Sequence, residues 1–395
     1  MPAPLEGIKI LDFTRFQAGP TGTVVLSDLG AEIIKVEMPG RGDEGRYIFP
    51  LSDNGATPYF IAHDRGKKGI TVDYHRSEGC EILLRLGAGC DAVVENFRPG
   101  AADGLGLGYE DFVRHNERIV YASVSAYGDE GPLAEEPGFD IHGQAAGGIM
   151  SVAGTDDGSY SAGAAIGDQL AGMTLASAVM GGLLARELHG LGQKVSVSLY
   201  GCQISLQAWE INQYSLGGQL PDKAGTSHPL LRKSGMIWGS YPTKEGDIVL
   251  GGLGGKRWER FCALLGIEDE TEVDPQQSFL LDRSGWDQEI RERLKTRTAD
   301  EWVAAFREED LMISKVNTYA DILADPQAWA NGYLVEMEDS TRKNVKVVGS
   351  PYHFSRTPVQ NQGPPPELGQ HTELVLLEFG FSWEEIGRFR ESEVI

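Results

Sequence analysis

Cysteine is scarce and unpatterned in this chain of 395 residues. Cys80, Cys90, Cys202 and Cys262 show neither CxxC spacing nor a paired histidine cluster. That excludes a zinc ribbon and a disulfide framework, so no metal is expected, and it leaves free, mostly buried thiols in a reducing compartment. Basic charge is also short: 35 Lys and Arg face 58 Asp and Glu, a net charge of -23. Such a balance repels nucleic-acid phosphates and anionic membrane surfaces, and neither is expected as a partner. No apolar run reaches the ~20 residues a bilayer requires; the longest, Leu170 to Ala185, is shorter. The opening MPAPLEGIKILDF carries no charged leader followed by an apolar stretch and a small-residue cleavage site, so a cytoplasmic protein is expected. Missing too is GxGxxG between the first strand and the first helix. GLGLG (104–108) and GGLGG (251–255) therefore read as turns, not as dinucleotide loops.

What is present fits a globular protein of more than one domain, with 41% hydrophobic and 24% charged residues. Its 51 glycines are roughly twice the usual ~7%, which implies many tight turns. The first third alternates short β-branched runs with helical stretches: IKILDF (8–13), EIIKVE (32–37), GITVD (69–73), DAVVENF (91–97) and IVYASVSAY (119–127). This is the pattern of βαβ units and a parallel, doubly wound α/β sheet, where ligands sit beyond the carboxyl ends of the strands. A hairpin in YPTKEGDIVLGGL and amphipathic helices around 284–308 mark a smaller α+β domain at 226–320. Residues 1–225 and 321–395 are assigned to the large domain. The Pro-rich TPVQNQGPPPELG (357–369) reads as an extended surface connection.

On an acidic chain an anionic ligand needs a local basic island. DRGKKG (64–69) and NFRPG (96–100), both next to strand ends, are the candidates for one that grips phosphate. Asp168 stands near the start of GAAIGDQLAGMTLASAVMGGLLA, a run otherwise small or apolar. It reads in two ways. It is an N-cap that satisfies the first amides of a helix, or it is a desolvated carboxylate held ionised by that helix end and aimed at an acyl carbon.

In order along nearly the whole chain, LEGIKILDFTRFQAGP, LGAEIIKVE, RGKKGITVD, VVENFRPGA, GFDIHGQAAGG, GAAIGDQLAGM, GQKVSVSLY, LADPQ, VGSPYHFSRTP and LGQHTELVL together resemble class III coenzyme A transferases. That group includes the formyl-CoA:oxalate and carnitine CoA transferases and the α-methylacyl-CoA racemases. The resemblance implies a Rossmann-like large domain with a parallel sheet, a smaller α+β domain, and two subunits interlocked as a homodimer; a homologous partner subunit stays open. It implies no tightly bound cofactor, with coenzyme A or acyl-CoA as substrate and a carboxylic acid as acceptor. By the same resemblance Asp168 is the nucleophile, Gln17 and Ala18 line the thioester end, and Val72, Asp73, Tyr74, His75, Asn96, Phe97, Arg98 and Ala101 hold the nucleotide and pantetheine. The acid would pass through an aspartyl anhydride and an aspartyl-CoA thioester.

Departures from the family pattern carry information. Met38 and Gly104 stand where the oxalate enzymes have arginines, and Pro137 and Phe139 replace a Lys and a Tyr. A small, doubly charged acceptor such as oxalate is thereby disfavoured, because each buried carboxylate needs a partner. Arg41 and Arg98 become candidates for the nucleotide phosphates, and Phe139 and Asp140 for the acyl pocket. Met236 and Trp238 would add an apolar wall. Arg15, Arg232 and Lys233 are candidates to meet an acceptor's carboxylate. The histidine used by the racemases is replaced by Phe139; His142, three residues on, keeps racemisation as the alternative.

Overall fold

The computed structural model describes residues 1–48, 57–269, 282–338, 345–360 and 363–395, the side chains of Arg232 and Lys233 excepted. It divides into two units. The first comprises Met1–Gly147, Gly163–Leu206 and Pro326–Ile395, and the second Gly148–Ala162 and Gln207–Asp325. The second unit thus begins at Gln207 instead of 226 and takes in 148–162. Turn-rich composition at 217–229 suggested a boundary there, but the helix Ala208–Gly217 that precedes it groups with the second unit.

The main sheet of the first unit has six strands among the described residues: β1 (Lys9–Asp12), β2 (Glu32–Glu37), β3 (Lys68–Thr71), β4 (Ala92–Glu95), β5 (Val120–Ser125) and β6 (Gln193–Ser198). All neighbouring pairs are parallel and the order is β3-β2-β1-β4-β5-β6. Period-two alternation divides the strand residues between two cores. Leu11, Ile34, Val36, Ile70 and Val93 face one, with the C-terminal residues Val375, Leu376, Phe389 and Val394. Ile10, Ile33, Ala92 and Val94 face the other. Both faces are covered, as a parallel sheet requires. Lys35 breaks the pattern: it is fully buried in the middle of β2.

Two helices on the second face bring the loops together. These are α1 (Ala18–Asp28), whose residues are all buried, and α5 (Ile166–His189); α2 (Pro58–Asp64), α3 (Ser77–Ala88) and α4 (Asp140–Ala146) lie between them in the chain. Glycines set their separation. A Cβ on Gly172 would fall 2.5 Å from Thr21 Cβ and 2.6 Å from Ala18 O, and one on Gly22 would fall 2.8 Å from Gly172 O. The first residue of α1 therefore lies against α5 one turn past Asp168.

The second unit has its own core around Tyr241, Ile248, Leu250, Trp258, Phe261, Trp302 and Phe306. A three-stranded antiparallel sheet (Gly239–Pro242, Asp247–Leu250, Ile313–Lys315) is covered by helices Lys256–Leu265, Asp287–Leu294 and Ala299–Glu308, an α+β arrangement. Among the described residues no helix is long and apolar enough to cross a membrane.

Candidate active site

The strand order reverses direction between β1 and β4, and in open α/β sheets that switch point is where a crevice opens beyond the carboxyl ends. A cavity of about 460 Å³ occupies the place. Its walls come from the corner after β1 (Arg15, Phe16, Gln17, Ala18), the loop after β4 (Asn96, Phe97, Arg98, Pro99) and the end of β5 (Val124, Ser125, Ala126). Glu136, Pro137 and Gly138 ahead of α4, Phe139 and His142 at its start, Asp168 in α5 and Leu199 after β6 complete it.

The corner after β1 is held residue by residue. Asp12 Oδ1 accepts from Thr14 N at 2.8 Å. Asn96 grips the Arg15 backbone twice, Oδ1 accepting from Arg15 N and Nδ2 donating to Arg15 O, each at 2.8 Å. The Asn96 amide, expected to meet a ligand, spends both its ends on this clamp. Phe16 has a left-handed φ of 62°, which costs a non-glycine residue about 1–3 kcal/mol and persists only where the surroundings over-determine it. Gln17 follows as N-cap of α1, and its side chain makes no capping bond.

Asp168 is the third residue of α5, whose N-cap is Ala165, with no side-chain cap. The capping is done from elsewhere. Asp140, the first residue of α4, accepts with Oδ1 from Gly167 N at 2.7 Å and Asp168 N at 3.1 Å, while Oδ2 accepts from Gln144 Nε2 at 2.6 Å. Asp140 thus performs the N-cap role that was one reading of Asp168, and the Asp168 carboxyl is left to line the cavity. The expectation that the helix end keeps Asp168 fully ionised is corrected. Burial, and secondarily the neighbouring Asp140 charge, push its pKa up to about 7, because the amides that would have stabilised it already serve Asp140.

Phe139 closes one side, its ring edge-on to Phe16 at 6.0 Å. His142 Nδ1 accepts from Phe139 N at 3.2 Å, which leaves Nε2 for other contacts. Tyr59 on α2 was missed in the sequence. Burial raises its phenol pKa, and Asp168 is the foremost of the charges that add to the rise. No motif surrounds Tyr59, and only the packing of α2 brings it near the acid.

Of the residues singled out, Arg15, Gln17, Ala18, Asn96, Phe97, Arg98, Phe139 and Asp168 line this one cavity. Arg15 also pairs with Glu44 at 3.2 Å. Outside it lie Val72 and Tyr74, which are buried in the core, Val72 with no exposed surface at all. Asp73 Oδ1 accepts from His75 N, and His75 is exposed. Ala101 opens a short helix, Ala101–Leu105. Arg41 reaches into solvent beside Glu44. The side chains of Arg232 and Lys233 lie outside the described residues; Met236 and Trp238 belong to the second unit. DRGKKG is not a free basic island. Arg65 forks onto Asp28 (2.5 and 2.7 Å), Lys67 pairs with Asp64 and Asp12, and Lys68 with Glu32 and Glu378. The loop leads into β3 at the strand's amino end, where the fold offers it acidic neighbours. Among the described residues no cluster of His, Cys, Asp and Glu is suited to a metal.

The profile of CoA-transferase family III matches residues 5–372. The chain is 32% identical over 379 residues to the succinyl-CoA:glutarate CoA-transferase of Homo sapiens, covering 95% of this chain and 86% of that protein. It is 30% identical over 407 residues to the (R)-2-hydroxy-4-methylpentanoate CoA-transferase of Clostridioides difficile, covering 99% of each. A crystal structure of a CAIB/BAIF family protein from Brucella suis superposes with a TM-score of 0.85 at 29% identity, covering 96% of this chain and all of that one.

Proposed function

The chain belongs to CoA-transferase family III, and from that premise we propose that it moves coenzyme A from an acyl-CoA to a free carboxylic acid through covalent intermediates on Asp168. The family and its named relatives make the enzyme a CoA-transferase of the EC 2.8.3 type. The observation that carries the finer reading is an acid at the cavity wall whose helix is capped by another residue. In this reading the Asp168 carboxylate attacks the acyl carbon, the carbon–sulfur bond breaks, and a mixed anhydride and a coenzyme A thiolate result. The thiolate attacks the Asp168 carbonyl carbon, releases the donor acid and leaves an aspartyl-CoA thioester. An acceptor carboxylate attacks that carbon in turn and expels the thiolate. The thiolate then takes the acceptor's acyl group and restores the Asp168 carboxylate. Every step exchanges one oxygen or sulfur for another, and no net proton moves. Gln17 is proposed to donate its amide to the oxygen that gains charge, the contribution a preorganised dipole makes best.

Coenzyme A would run along the loop 96–98 and the segment Val72 to His75, with Ala101 beside it and Arg41 and Arg98 toward its phosphates. Phe139 and Phe16 would bound the acyl group, and Asp140 acts through Asp168. Arg15 would meet the acceptor, proposed to be a short aliphatic acid, mono- or dicarboxylic; the relatives named for glutarate and for a hydroxylated branched acid support both kinds. A homodimer is part of the proposal. It is supported by exposed Leu184 and Leu188 near the end of α5 and Leu191 just past it, large apolar side chains that a second copy would cover.

The assay is exchange between a panel of acyl-CoAs and free acids, read by chromatography in deuterated water. New acyl-CoA without deuterium at the α-carbon is expected. Deuterium entry without exchange would overturn the proposal in favour of racemisation, with His142, on the wall of the same cavity, as the opposing acid–base group. A second outcome concerns pH. Because the carboxylate is the nucleophile and its pKa is about 7, kcat/KM is expected to rise with pH through that value and level off above it. Asp140→Asn keeps an acceptor for the two amides but removes the repelling charge. Its rising limb is expected to lie at lower pH, by on the order of one unit. An unmoved limb would contradict the electrostatic account.

A further inference from the structure

Beneath the corner that presents Gln17 lies a continuous row of buried ions. Asp12 Oδ2 meets Lys67 Nζ at 3.0 Å, and Lys67 meets Asp64 at 2.8 Å. Asp64 meets Lys35 Nζ at 3.1 Å, and Lys35 meets Asp43 Oδ2 at 2.7 Å. Every side chain in the row is at most 1% exposed. Burial alone would lower the Lys35 pKa; Asp43, Asp64 and Asp12 reverse this and hold it well above its ordinary value.

A row of this kind is weak evidence of stabilisation, since buried ion pairs replaced by packed apolar side chains often leave a protein as stable or more so. Its contacts point elsewhere. One end, Asp12, accepts from Thr14 N at 2.8 Å and Thr14 Oγ1 at 2.5 Å. Lys35 donates to Thr14 O at 2.9 Å. The other end, Asp43, accepts from Phe16 N at 3.2 Å and Gly45 N at 2.8 Å. The row therefore grips the first and third residues of the corner, while Asn96 grips the second from above. The third is the left-handed Phe16, and the next residue is Gln17.

We infer that Lys35 and Asp43 are positioning residues for coenzyme A transfer: by clamping the Thr14–Phe16 backbone in a strained turn they set the place of Gln17 opposite Asp168. This rests on the reading of Gln17 and Asp168 as the reacting pair. Neither Lys35 nor Asp43 touches substrate.

The test is Lys35→Met combined with Asp43→Asn. The double change removes one charge of each sign, leaves Lys67 to Asp12 and Asp64, and keeps an acceptor oxygen for Phe16 N and Gly45 N. Expected are a melting temperature close to wild type, a KM for acyl-CoA within about threefold, and a kcat lowered about 100-fold, the loss that a misplacement of about 1 Å brings. Asp168 is expected to be trapped as its covalent adduct in full yield, only more slowly. A double variant with wild-type kcat overturns the inference. So does one in which kcat and melting temperature fall together while KM rises well beyond threefold, since that marks a structural role. Should the double variant not fold, Asp43→Asn alone decides: kcat falling about tenfold at constant KM supports the inference, and wild-type kcat overturns it. A wild-type enzyme whose Asp168 is never acylated removes the nucleophile reading, while the split between kcat and KM still decides the role of Lys35 and Asp43.

Discussion

Asp168→Ala is expected to lower kcat for coenzyme A exchange by about 10⁴-fold or more, the scale of loss when a covalent nucleophile is removed. Acyl-CoA should still bind, because the loop 96–98 and the corner at Gln17 remain in place. The same acid should be a burden on stability at neutral pH. Its pKa is about 7 in the folded chain against an ordinary 3.8, burial being the larger cause and Asp140 the smaller. Between those values the native state binds more protons than the unfolded state, so stability falls as pH rises through this window. The isosteric Asp168→Asn removes that fall. Its melting temperature is expected to exceed wild type above about pH 7, with the gain shrinking to nothing toward pH 4. An inactive variant that is more stable than the enzyme it came from is the signature of a residue kept for chemistry. Asp168→Asn melting at or below wild type across this range would contradict it.

Gly172→Ala is expected to damage both the packing of the first unit and its catalysis. Its Cβ would lie 2.5 Å from Thr21 Cβ and 2.6 Å from the carbonyl oxygen of Ala18, and a backbone oxygen cannot rotate away. The overlap has to be relieved by separating α1 from α5, at about 1–3 kcal/mol. Ala18 is next to Gln17 and Gly172 is one turn from Asp168, so the separation opens the reacting pair. A kcat loss of about 100-fold is expected with the fall in melting temperature. Gly387→Ala is the control. It sits in the helix Trp383–Glu391 with nothing within 4 Å of its Cβ, and there the methyl should raise helix stability by about 0.5–1 kcal/mol. Equal melting temperatures for the two variants would contradict the close-packing account.

Local pattern made much of the scaffold legible. The runs EIIKVE and VYASVS are strands because β-branched residues fill both faces of a covered parallel sheet, and the long apolar stretch is α5. The loops FQAGP and NFRPG were legible as cavity walls because each follows a strand's carboxyl end. What failed to show were pairings made across the chain. DRGKKG looks basic until Asp12, Asp28, Glu32 and Glu378 fold around it. Asp168 looks like a cap until Asp140, 28 residues earlier, takes the amides. Lys35 is one residue of EIIKVE with no motif around it, and only the five-ion row explains why it is buried. In each case a charge's meaning depends on partners that only the tertiary fold supplies.

The central claim is that Asp168 becomes covalently acylated. The most direct measurement is to mix the enzyme with a panel of acyl-CoAs that includes succinyl-CoA, quench with hydroxylamine, digest, and weigh the peptide that holds Asp168. The account predicts that Asp168 is converted to its hydroxamate, in a yield that grows with the acyl-CoA that exchanges fastest, and that the adduct is absent in Asp168→Ala. Rapid exchange with an unmodified Asp168 peptide would contradict it.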